Sequence, residues 1–69
     1  MNNSIKVIIS PLVGTKNYSM HEGKELVLPC VPQIGSVIEI GSDNLEVKRV
    51  FYIYKEGEYK VYLSVTDWN

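Results

Sequence analysis

Apolar and polar positions alternate along most of this chain, and the alternation is clearest between Ser36 and Val65. Three runs there, Ser36–Ile40, Leu45–Tyr54 and Glu58–Val65, are rich in β-branched and aromatic residues at period two, with turn-type residues between them. They predict a three-stranded antiparallel meander. Gly41-Ser-Asp-Asn44 reads as a four-residue turn pairing Ile40 with Leu45 and Ile38 with Val47, all on one face. Lys55-Glu56-Gly57 reads as a three-residue loop, a type I turn followed by Gly57 in the left-handed bulge position. That register pairs Tyr54 with Glu58. It sets Phe51, Ile53, Tyr59, Val61 and Leu63 on a dry face, and Val50, Tyr52, Tyr54, Lys60, Tyr62 and Ser64 on the other. A two-residue loop would shift the register and mix these faces. Arg49 falls on the dry side, so either it sits at a rim or a bulge near Lys48–Arg49 turns it outward.

The chain before the meander supplies two more β segments. Ser4–Val13 carries Ile5, Val7 and Ile9 at period two, and Pro11 confines that strand to an edge, an end or a bulge. Gly14–Gly23 is the longest polar connection, and Ser19 with Glu22 fits a capping box around one helical turn. Lys24–Leu28 is a short strand ended by Pro29, after which Cys30-Val31-Pro32 runs extended and Gly35 turns into the meander. Asp67-Trp68-Asn69 reads as a tail, with Trp68 as a plug over the open end of the core. Five short strands with turn signals between them predict a small barrel or a strongly bent sheet.

Pro32-Gln-Ile-Gly35-Ser-Val-Ile38, followed by Leu45-Glu-Val47-Lys-Arg-Val50, resembles a pattern in short phage and mobile-element proteins with SH3-like small barrels. In those a Pro-x-x-Gly-x-x-(Ile/Val) lead enters a first hairpin whose second strand carries Val-x-x-Val. The resemblance covers roughly half the chain. It implies a binding module, in a neighbourhood where short phage proteins block host defence by capping a protein or sequestering a nucleotide signal.

Composition narrows the picture. Sixty-nine residues make one domain, small enough that burial alone leaves it marginal and self-association is a route to stability. The single cysteine, Cys30, excludes an internal disulfide and suits a reducing, cytoplasmic setting. A net charge of −1 disfavours a nucleic-acid partner, which wants a basic surface. No apolar run reaches membrane-spanning length, and Met1–Lys6 does not read as a signal peptide. The Asn-x-Ser triplets at Asn2 and Asn17 are then chance.

The sequence offers few groups for chemistry. His21 and Glu22 read most simply as a solvated loop pair, because no partner for the histidine is visible. Cys30, between Pro29 and Val31, lacks a charged neighbour to activate it and reads as a small buried filler. His21, Glu22 and Cys30 lack the spacing of a metal site. No phosphate-binding glycine loop or nucleophile–base constellation is apparent, so neither enzyme activity nor a cofactor is expected.

The best site candidate is the tyrosine-bearing face. Tyr52, Tyr54 and Tyr62 with Val50 offer wide apolar area and hydrogen-bonding tips, which suits a protein interface. Tyr18 and His21 of the Gly14–Gly23 loop join them as expected contacts. Lys48, Arg49 and Lys60 lie nearby and suit a phosphate, with the tyrosines as a stacking platform. The expectation is an all-β domain, an SH3-like five-stranded barrel or a bent antiparallel sheet ending in the meander. It is expected to bind and inhibit a protein partner, with capture of a nucleotide-like ligand by an oligomer as the alternative.

Overall fold

The computed structural model describes residues 4–68. Residues Met1, Asn2, Asn3 and Asn69 lie outside the described residues, and with them the readings made on the N-terminal segment and the Asn2 triplet. The fold is all-β: five strands in one mixed sheet that curls into a half-barrel. The strands are β1 (Ile5–Pro11), β2 (Glu25–Leu28), β3 (Val37–Ile40), β4 (Asp43–Lys55) and β5 (Glu58–Asp67), and a single helical turn, α1 (Tyr18–His21), lies between β1 and β2. The sheet order is β2-β1-β5-β4-β3. The meander therefore forms as expected. The bent antiparallel sheet is corrected to a mixed one, because β1 enters the sheet parallel to β5.

One face of the sheet makes the core. Val7 and Ile9 of β1, Leu45 and Val47 of β4, and Val61, Leu63 and Val65 of β5 are buried there. Ile5, Leu26, Leu28, Val31, Ile38, Ile40 and Val50 pack around them. Pro11 is the last residue of β1, where its missing N–H costs the ladder nothing further.

Both meander turns differ from the sequence expectation, with opposite consequences. Ile40 pairs with Asp43 and Ile38 with Leu45, so the first turn is the two residues Gly41-Ser42. Gly41 has φ +62°, the positive first position of a type II′ turn. The slip is by two, an even number, so Ile38, Ile40, Leu45 and Val47 keep their common face.

At the second turn Lys55 pairs with Glu58, leaving Glu56-Gly57 as a two-residue loop. Both have positive φ, 52° and 80°, the pattern of a type I′ turn, whose twist matches that of the strands. This slip is by one and reverses every side chain of distal β4 relative to β5. A bulge absorbs the reversal. The ladder passes from Val47↔Val65 to Arg49↔Ser64, leaving Lys48 as the extra residue, and Lys48 and Arg49 are both exposed. Val47 and Val50 can then both face the core. Of the two accounts of Arg49, the bulge is the one that forms.

The predicted dry face is corrected accordingly. Val61 and Leu63 are core, but Phe51, Ile53 and Tyr59 are exposed. Trp68 does not plug the core. It is half exposed and donates its backbone N–H to the Asn44 carbonyl at 3.0 Å, prolonging the β4–β5 ladder.

Candidate functional site

The longest feature of the fold is the β4–β5 hairpin. β1 pairs with β5 only from Val61 to Val65, and β3 pairs with β4 only from Asp43 to Glu46. Beyond these, residues 51–60 form a two-stranded ribbon exposed on both faces. Alternation across Tyr52↔Val61 and Tyr54↔Tyr59 puts Tyr52, Tyr54 and Tyr59 on the same face as the core, beyond its edge. They are 62%, 64% and 69% exposed. Tyr54 and Tyr59 meet edge to face, centroids 5.0 Å apart at 62°, a geometry that orients both rings. Where the ribbon leaves the core, Ile5, Val31, Tyr52, Tyr59 and Val61 line an open apolar groove of about 470 Å³.

Tyr62 lies on the opposite face. It stands across from Phe51, with Ile53↔Lys60 on one side and Arg49↔Ser64 on the other. The predicted grouping is thus divided: Val50, Tyr52 and Tyr54 are on the core side, and Tyr62, Lys60 and Arg49 are on the outer side. Lys48 sits at the bulge with its ammonium 3.4 Å from Glu46. On the outer side Ile53, Lys55, Glu56, Glu58, Lys60 and Tyr62 border a cleft of about 320 Å³. Sequence reading missed Tyr59 as a surface tyrosine, together with Phe51 and Ile53. The Glu-Gly dipeptide is not among the pairs that favour a two-residue turn, so the local sequence carried no signal for it.

The Gly14–Gly23 loop is tied to the sheet at the end where the chain leaves β1 and β5. The backbone N–H of Lys16 donates to Asp67 Oδ2 at 2.8 Å, and Thr15 Oγ1 donates to the Val65 carbonyl at 3.4 Å. Asn17 takes the left-handed conformation at φ 59° before α1 and donates from Nδ2 to Asp43 Oδ2 at 2.7 Å. His21 Nε2 lies 2.7 Å from the same oxygen. The Asn17 amide first, and the His21 ring second, hold the Asp43 carboxyl below the usual carboxylate range.

This clasp corrects three expectations. The helical turn forms, but it starts after Asn17, and no side chain caps it. Glu22 accepts instead from the Tyr18 hydroxyl at 3.1 Å, and that bond together with the carboxylate charge raises the Tyr18 pKa. His21 is 2% exposed, so it is neither a solvated residue nor an open contact. Its Nδ1 is buried without a hydrogen-bond partner, so the imidazole presents no ring nitrogen to solvent. Asp43 was missed because its partners lie in a loop distant in sequence, and no local pattern links them. Tyr18 is half-buried at the rim of the same loop.

Cys30 is exposed, not a buried filler; its neighbour Val31 is the residue that packs against the core. Among the described residues no group of three or more His, Cys, Asp or Glu is placed to hold a metal ion. No helix among them is long and apolar enough to cross a membrane.

No known protein family, curated protein or solved structure matches this chain.

Proposed function

We propose that this chain is a non-catalytic binding protein that engages and inhibits a protein partner through the tyrosine-bearing face of its β4–β5 ribbon. The observation that carries the reading is the exposure of Tyr52, Tyr54 and Tyr59 side by side, next to an apolar groove. Three tyrosines held in water leave apolar area unburied, and a partner that covers them recovers that area and uses their hydroxyls. The rim suits such a contact. Lys55, Glu56 and Glu58 at the tip of the ribbon set both signs of charge next to the Tyr54–Tyr59 pair. The narrower reading, a phage-type inhibitor of a host defence component acting in the cytoplasm, rests on the resemblance of Pro32–Val50 and on an unpaired exposed thiol that suits a reducing compartment.

Affinity capture from bacterial host lysate, with wild type beside Tyr54→Ser/Tyr59→Ser, tests this. The expected result is a protein retained by wild type and lost with the variant, then rebound in purified form. Equal retention by both chains, or none by wild type, counts against the reading.

The second reading is capture of a nucleotide-like ligand, favoured by the outer face. Phe51 and Tyr62 form an aromatic platform with Arg49 and Lys60 at neighbouring positions, the pairing of ring and cation that a base with its phosphate would use. A nucleotide at a hundred times its Kd should add about 2.7 kcal/mol of stability. A thermal-shift screen against linear and cyclic nucleotides that shows no change removes this alternative.

A further inference from the structure

The β4 strand outruns its neighbour. The β3 pairing ends at Glu46, and the Gly35–Ser36 backbone extends it by one step, Val47 donating to Ser36 and accepting from Gly35, both at 2.8 Å. From Lys48 to Lys55 the strand has β5 on one side and, among the described residues, no strand on the other. The direction of its backbone groups follows from the ladder. The Val65 carbonyl accepts from Leu12 on the β1 side, so Leu63, Val61 and Tyr59 also point their backbone groups away from β4. Their cross-strand partners, Val50, Tyr52 and Tyr54, consequently turn their N–H and C=O groups to the open edge.

Protection of that edge is confined to the ends, the Lys48 bulge with Arg49 and the terminal Lys55; Val50-Phe-Tyr-Ile-Tyr54 between them contains no proline, glycine or charge and is built from the residue types most suited to strands. We propose that a second copy of this chain pairs with it, antiparallel, about a two-fold axis through Tyr52. This register alone uses all the outward groups: Val50 faces Tyr54 of the second copy, Tyr52 faces Tyr52, and Tyr54 faces Val50. The flanks of this register are mixed in charge: Glu56 stands opposite Lys48, while Arg49 stands opposite Lys55, whose own hairpin partner is Glu58. The product is one continuous sheet through both half-barrels, with the tyrosines of both copies on a common face. This inference goes beyond the partner-binding reading and does not rest on it, since edge pairing uses the backbone of β4 and leaves both faces of the ribbon open.

Sedimentation equilibrium of the full chain is expected to show a dimer. Tyr52→Pro removes an N–H that points outward and leaves the β4–β5 ladder whole. It is expected to keep the circular dichroism of wild type and to raise the dimer Kd by on the order of a hundredfold, through loss of the central pair of bonds. Tyr54→Ser/Tyr59→Ser alters the face and keeps the edge, so it is expected to dimerise. The register is read separately in a Cys30→Ser background, where Phe51→Cys with Ile53→Cys brings each new thiol opposite one on the other copy and is expected to give a disulfide-linked dimer. A wild-type chain that stays monomeric over its soluble range overturns the proposal. So does a dimer that survives Tyr52→Pro, or, where that variant fails to fold, a cysteine pair that yields no covalent dimer.

Discussion

Single residues set the local strains and attachments of this fold. Glu56 holds φ +52° in the β4–β5 turn, a conformation that a side chain with a Cβ enters at a cost of about 1 kcal/mol. Glu56→Asn supplies the Asn-Gly pair that a type I′ turn favours and should raise stability by about 0.5–1 kcal/mol in urea unfolding. Gly57→Ala should lower it by a similar amount. Asp43 supplies the acid sensitivity. Its carboxyl ionises at a lower pH in the folded chain than in the unfolded one, so the unfolded state binds the extra proton first. The stabilisation is therefore complete above about pH 5 and fades as pH falls through about 4 and below. Thermal midpoints measured across this range should drop for wild type. Asp43→Asn should begin lower and show a flatter profile. A drop as steep in the variant would place the acid sensitivity elsewhere. His21→Ala removes the buried ring and leaves Asp43 with one partner fewer, a loss of about 2–3 kcal/mol.

At the scale of elements, parity governs. The turn at Gly41-Ser42 is two residues shorter than expected, and no side chain changes face. The turn at Glu56-Gly57 is one residue shorter, and Phe51, Ile53, Tyr52 and Tyr54 all exchange faces. The bulge at Lys48 restores the core by letting Val47 and Val50 point inward together. The hairpin consequently has two parts with different energetics. Its base is core, so Leu63→Ala should cost about 3 kcal/mol through lost burial and a residual cavity. Its ribbon is solvated, so Tyr54→Ser should cost about 1 kcal/mol, mainly the ring pair with Tyr59. Comparable losses at the two positions would mean that the ribbon is covered in solution and not open.

For the molecule as a whole, the half-barrel remains open where a full barrel would close. Among the described residues β2 and β3 each pair on one side only, and along the ribbon both β4 and the start of β5 have an open edge. A chain of this size buries only about 60% of its unfolded surface, so association has a large relative effect. If the open β4 edge is satisfied by a second copy, the thermal midpoint should rise with protein concentration, by mass action on the folded state. In Tyr52→Pro that dependence should vanish. A midpoint independent of concentration in wild type would argue for a monomer that reserves the ribbon for another protein.

The sequence by itself determined that the chain is all-β, where its strands lie and that β3, β4 and β5 form a meander. Period-two patterning and turn residues are local signals, and strands follow them. The β5 side of the core, Val61 and Leu63, was legible for the same reason. Tertiary structure decided the rest. Turn length at Glu56-Gly57 and the Lys48 bulge differ from their alternatives by one residue, and composition hardly changes with a single-residue slip. Only burial of Leu45, Val47 and Val50 against Val61, Leu63 and Val65 selects the combination that forms. The parallel pairing of β1 with β5 and the meeting of Asn17, His21 and Asp43 join segments far apart in the chain, and no local pattern encodes which distant partner a strand or a side chain will find.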